Sequence, residues 1–139
     1  MNQTKCFIIS SSSKYPKNRV NYNSDSYKNE SNKMNKFEKH IFICENIRDE
    51  AHPKQSCGRL GGIENREKFK KRLRELGLTE TIRANSSGCL GTCKHGPVAV
   101  VYPEVRWYGK IKLDDVEEII QSDLINNEIV KRLEIVDDE

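Results

Sequence analysis

Four side chains in this sequence have the type and the spacing to do chemistry: Cys44, Cys57, Cys89 and Cys93. They run C-x12-C and then, after a long interval, C-x3-C. In a reducing compartment clustered cysteines bind metal or do redox work more often than they form disulfides. Thiolate sulfur selects zinc, copper(I) or iron–sulfur clusters. The alternative of small apolar core residues suits one or two of them but not all four, since each lies beside glycine, proline or polar residues. A dithiol oxidoreductase would use C-x-x-C, and the sequence holds no such motif. Structural zinc is the serious competitor. Zinc ribbons present two tight knuckles, whereas only the second pair here is tight. The wide first pair favours a bulkier two-iron cluster.

The residues around the cysteines fit an anionic centre. Such a cluster is negatively charged in either oxidation state, and backbone N–H groups aimed at sulfur offset that charge. Glycines allow close backbone approach. The loop from Ser87 to Gly96 has three, Gly58 follows Cys57, and Gly61 and Gly62 lie just beyond. Lys94, His95 and Arg59 are candidates for charge compensation. The histidines His40, His52 and His95 form no recognisable nucleophile arrangement, so no catalytic residue is assigned.

The elements that must position the cysteines follow from periodicity. His40–Cys44 is short, apolar and β-branched, a buried strand ending on Cys44. A polar loop runs Glu45–Gly62. Glu64–Leu76 reads as a helix with Phe69, Leu73 and Leu76 on one face and Gly77 as its stop. Glu80–Asn85 is a second strand, and Ser86–Pro97 is the loop of Cys89 and Cys93. Val98–Tyr102 is a strand covered on both faces, and Val105–Tyr108 pairs with it as a hairpin. Asp114–Glu117 resembles a capping box opening a last helix with Val116, Ile119, Ile120 and Leu124. The order β-α-β, loop, β-β-α predicts an α/β fold: a thioredoxin-like mixed four-stranded sheet flanked by two helices. Both cysteine loops then follow strands at their C-terminal ends, where open α/β sheets bind ligands.

Composition sets the domain boundaries. Mean hydropathy is −0.78 and charged residues make up 32%. Residues 1–39 hold eight Lys/Arg against three Asp/Glu, while the other hundred hold sixteen against eighteen. The basic balance therefore belongs to the front of the chain, and the domain itself has no basic stripe for nucleic acid. Residues 1–36 are rich in Asn, Ser and Lys without period and are expected to be a disordered extension. The domain is expected over 37–126 and an acidic tail over 127–139. The longest apolar run, Val98–Tyr102, is far short of the roughly 20 residues that a membrane span needs. Cys6–Ile9 is too short for a secretory h-region. A cytoplasmic location is expected, with organelle import through the extension as the alternative.

Several stretches resemble one family, the thioredoxin-like [2Fe-2S] ferredoxins. They are His40–Cys44, Ala51-His52-Pro53 with Ser56-Cys57-Gly58, and Arg83-Ala84-Asn85 with Gly88–Cys93. Gly96-Pro97, Val100–Glu104 and Trp107-Tyr108-Gly109 complete them. The likeness covers about residues 38–125 and leaves out Cys6. It implies a [2Fe-2S] cluster bound by Cys44, Cys57, Cys89 and Cys93, in a domain that often pairs as a homodimer. The expected function is a one-electron carrier between a reductase and an acceptor enzyme, not an enzyme itself. A carrier of this kind would hold Cys57 and the Cys89–Cys93 loop near the surface. The rival readings are an interaction or assembly module stapled by zinc or a non-redox cluster, and an iron–sulfur carrier or redox sensor.

Overall fold

The computed structural model describes residues 36–136. Most of the expected extension 1–36, with Cys6, and the last three residues of the expected acidic tail lie outside the described residues.

Strand β1 spans Lys39–Cys44, helix α1 Ile63–Glu75, strand β2 Ile82–Ser87, strand β3 Ala99–Tyr102 and strand β4 Arg106–Tyr108. Helix α2 spans Asp115–Ile119 and continues as a wider helical turn through Ile125. The sheet order is β2-β1-β3-β4. β1 and β2 are parallel, and β1–β3 and β3–β4 are antiparallel. This is the mixed four-stranded, thioredoxin-like sheet with two helices that the element order predicts.

Alternation along the strands makes one face of the sheet the core. Ile41, Ile43, Ile82, Ala84, Ala99, Val101 and Tyr108 meet Phe69 and Leu73 of α1 and Val116, Ile119, Ile120 and Leu124 of α2. Full burial of each large side chain contributes about 1.5–3 kcal/mol. On the other face lie His40, Phe42, Val100 and Trp107. The His40 and Phe42 rings stack at 4.3 Å, and Phe42 meets Tyr102 edge-on at 6.0 Å. β3 is buried on both faces from Ala99 to Val101, as its apolar run implies, and only Tyr102 at its end is exposed.

The helix ends differ in how well the sequence announces them. Gly77 closes α1 with φ 68°. Its N–H donates to Arg74 O, and the Leu78 N–H donates to Leu73 O, a Schellman closure that tucks Leu78 against the core. At α2 the expected capping box on Asp114 does not form, because Asp114 makes no capping bond. The turn opens two residues earlier. Lys112 N–H donates to Asp115 Oδ2 at 2.8 Å, and Asp115 N–H donates to Lys112 O. Strand β2 sits two residues later than expected, because Thr81 and Ile82 donate to Leu78 O and hold residues 79–81 in a turn.

The expected boundary at 126 is also overtaken. Val130 and Leu133 are buried in the main core. Gly109 N–H donates to Leu133 O, and Ile135 N–H donates to Trp107 O. The segment 127–136 is fastened along β4 by apolar anchors interleaved with the charged Glu128, Lys131, Arg132 and Glu134. Among the described residues no helix is long and apolar enough to cross a membrane.

Candidate metal centre

The parallel register puts Cys44 opposite Ser87, so both cysteine loops leave the same edge of the sheet. Glu45 N–H donates to Ser87 O and Cys44 N–H donates to Val98 O, which ties the start of the first loop to both flanks of the second. After Cys57 the chain makes a helical turn, Gly58–Gly62, and runs straight into α1. Cys57 therefore stands on the rigid lead-in to a helix. Cys93 opens a short helical turn, Cys93–His95. That turn is tethered by Lys110 N–H to His95 O at 2.7 Å.

The four sulfurs form two unlike pairs. Cys44 and Cys57 are each 2% exposed and pack with Val98, Leu90, Trp107 and Ile135. Cys89 is exposed and Cys93 half-buried, with their sulfurs 3.4 Å apart. All four are free thiols. Cys57 is thus not near the surface as expected. Only the Cys89–Cys93 loop is, so the centre has a dry inner end and a wet outer end.

The two ends differ electrostatically. Burial, helped by the neighbouring Cys44, pushes the Cys57 thiol up to about 11. The Gly91 N–H, then Cys93 and the Arg48 guanidinium, pull Cys89 down to about 7. Gly91 N donates to Cys89 Sγ at 3.3 Å and Arg48 Nη2 at 3.1 Å. Arg48 is the contact that sequence reasoning missed. Among the cations expected to compensate charge, Arg59 turns instead to Arg48 O and to Glu50. A single arginine in a polar loop carries no periodic signal. Its position inside the long first spacer is the only clue.

This donor set fits an anionic sulfur-rich group. Among the described residues no three His, Cys, Asp or Glu side chains converge at single-ion spacing. Thr92 Oγ1, between Cys89 and Cys93, is buried without a hydrogen-bond partner in the protein. An orphaned hydroxyl there is a donor in want of an acceptor.

No protein-family model matches the chain. It is 42% identical over 96 residues to a 2Fe-2S ferredoxin of Clostridium pasteurianum, an alignment covering 69% of this chain and 94% of that protein. It is 39% identical over 100 residues to a 2Fe-2S ferredoxin of Aquifex aeolicus, covering 70% and 88% of the two. The crystal structure of the thioredoxin-like [2Fe-2S] ferredoxin from Aquifex aeolicus superposes with a TM-score of 0.69 at 37% identity, across 73% of this chain and 99% of that one. With the cysteine pairs at one sheet edge and relatives matched over nearly their full length, the chain belongs to the family of thioredoxin-like [2Fe-2S] ferredoxins.

Proposed function

We propose that this protein is a one-electron carrier that binds a [2Fe-2S] cluster through Cys44, Cys57, Cys89 and Cys93. The observation that carries the reading is the polarity of the site: one thiol pair sealed in apolar surroundings, the other at the surface. Such a cluster supplies one-electron oxidation and reduction without moving a proton. The chain's own residues do the rest. Val98, Leu90, Trp107 and Ile135 exclude water from the inner pair. The Gly91 N–H and Arg48 oppose negative charge at the outer pair. The exposed loop around Cys89 and Lys94 is the face for a reductase and an acceptor enzyme, met through a small, weak interface. The open sheet face with His40, Phe42 and Tyr102 is the surface that suits pairing as a homodimer. Four cysteines that must stay reduced to ligate the cluster suit a reducing, cytoplasm-like setting.

Purified protein should be red-brown, contain iron and acid-labile sulfide, and bleach reversibly with one electron per cluster. Cys57→Ser or Cys89→Ser should lose most of the iron and Cys6→Ser none. Colourless, zinc-loaded protein would leave the stapled interaction module standing instead. Transfer of the cluster to an apo-acceptor, without electron exchange, would favour a cluster carrier.

A further inference from the structure

The first cysteine loop does more than span a distance. Arg48 lies four residues past Cys44, and its backbone is held on both sides. Its N–H donates to the buried Ser56 Oγ at 2.7 Å, and its carbonyl accepts from Arg59 Nε at 3.1 Å. Its guanidinium is held too: Nη1 donates to Gln55 O at 2.8 Å. Nη2 donates across to Cys89 Sγ at 3.1 Å. The arm is rooted in the loop of the buried cysteines and ends on the exposed one, 41 residues away in sequence. Pre-organised N–H groups aimed at developing charge lose little on reorganising.

We propose that Arg48 is a positioning and tuning residue for the redox centre, raising its reduction potential by holding a charged N–H on the Cys89 sulfur. The inference rests on the cluster reading above. Reduction adds negative charge, and hydrogen bonds to ligand sulfur together with net charge set cluster potentials. A guanidinium at hydrogen-bond distance stabilises the reduced form more than the oxidised one. A charge-assisted contact is also short-ranged, so salt should weaken it less than it weakens a free surface cation. Lys94 provides the contrast: it is exposed and next to Cys93 in sequence.

The test is a redox titration of holo full-length protein, following the visible bands, on wild type, Arg48→Lys, Arg48→Gln and Lys94→Gln at low and high salt. At the wild-type midpoint, Arg48→Gln should lower the ratio of reduced to oxidised protein about tenfold, a shift of about 59 mV for a one-electron couple. Arg48→Lys, which keeps the charge but not the fork, should fall between. The Arg48→Gln shift should survive high salt, while any Lys94→Gln shift should fade. An unmoved Arg48→Gln midpoint with full iron content would overturn the assignment and leave Arg48 as a loop strap. A shift that vanishes with salt, as for Lys94→Gln, would also overturn it and reduce Arg48 to a general surface charge. If Arg48→Gln loses its iron, Arg48→Lys carries the comparison, and an unshifted midpoint there overturns the proposal. Wild-type protein lacking iron and sulfide would overturn the cluster reading itself, an outcome visible before any midpoint is measured.

Discussion

The α-carbon of Gly96 lies against the sulfur of Cys57: a Cβ built on it would sit 2.9 Å from Cys57 Sγ and 3.3 Å from Cys93 O. The glycine closes the second cysteine loop onto the buried thiol of the first, and any side chain would push that thiol out of place. Gly96→Ala should therefore lower iron retention and destabilise the domain by about 1–3 kcal/mol, as overpacking does elsewhere. Gly88 is the control, because nothing lies within 4 Å of the corresponding Cβ. Gly88→Ala should bind iron like wild type. Equal iron content and equal melting temperatures for the two variants would show that the contact at Cys57 does not matter.

In metal-free protein the outer and inner thiols should part company with pH. Cys89, pulled down to about 7 by the Gly91 N–H, Cys93 and Arg48, contributes stability that is present above the ordinary thiol value of 9.0. That contribution is lost as pH falls through about 7. Cys57, pushed up to about 11 chiefly by burial, has the opposite sign. Its contribution is present below the ordinary value and is lost as pH rises toward about 11. As far as these two groups decide it, apo stability in urea should climb from pH 7 to 9 and then decline. Brief alkylation at pH 7, mapped by mass spectrometry, should label Cys89 first and Cys57 last, since thiolate and access both govern the rate. Cys57 labelled as fast as Cys89 would mean that the inner pair is not sealed without metal.

Much of this centre was legible in the sequence because its signals are local. Cysteine spacing, the apolar run into Cys44 and the glycine-punctuated second loop each survive without tertiary context. What escaped was non-local. Arg48 reads as one more charge in a polar loop until the parallel pairing of β1 and β2 brings Cys89 within its reach. Cys57 sits among polar residues and glycines in sequence, yet Val98 and the packing of Trp107 and Ile135 bury it. The start of β2 was displaced by a turn whose hydrogen bonds converge on Leu78 O, a device that propensity does not encode. The segment 127–136 reads as part of an acidic tail because the chain ends on Asp137–Glu139 and its few apolar residues, Ile129, Val130, Leu133 and Ile135, are interleaved with charged ones in too short a run to announce an element.

That segment gives a further prediction. Ending the chain at residue 126 would strip Val130 and Leu133 from the core and Ile135 from the back of the metal centre. It would also remove Arg132, which donates to Asp115 Oδ1 at 2.7 Å and pairs with Glu118. At about 1.5–3 kcal/mol for each buried aliphatic side chain, the loss is comparable with the whole stability of a small domain. The truncated protein should be poorly soluble or melt far below wild type. Ending it at 136 should be harmless. Identical melts for the two truncations would return 127–136 to the status of a tail.

At the end of β1 away from Cys44 lies a buried charge network that should matter to the fold and not to the cluster. Asp123 is fully buried and accepts from Lys39 Nζ at 3.0 Å, Arg106 Nη1 at 2.5 Å and Tyr108 Oη at 2.5 Å. Lys39 is itself 9% exposed and reaches Asp123 O and Asn127 Oδ1 as well. The carboxylate thus pins the end of α2 to β1 and β4. Burial and the Asp123 carboxylate push the Tyr108 hydroxyl well above its ordinary range, so it stays a neutral donor. Removing one partner of a buried pair leaves the others uncompensated, at a cost of about 3–5 kcal/mol. Asp123→Ala should therefore lower the urea midpoint sharply, and Lys39→Met should do so less, since Arg106 and Tyr108 still hold the carboxylate. Folded Lys39→Met protein should keep wild-type visible bands and reduction potential, because the network touches neither cysteine pair. A shifted potential in Lys39→Met would show that the sheet transmits strain from this network along β1 to Cys44, and the two ends of the strand would have to be treated as one coupled unit.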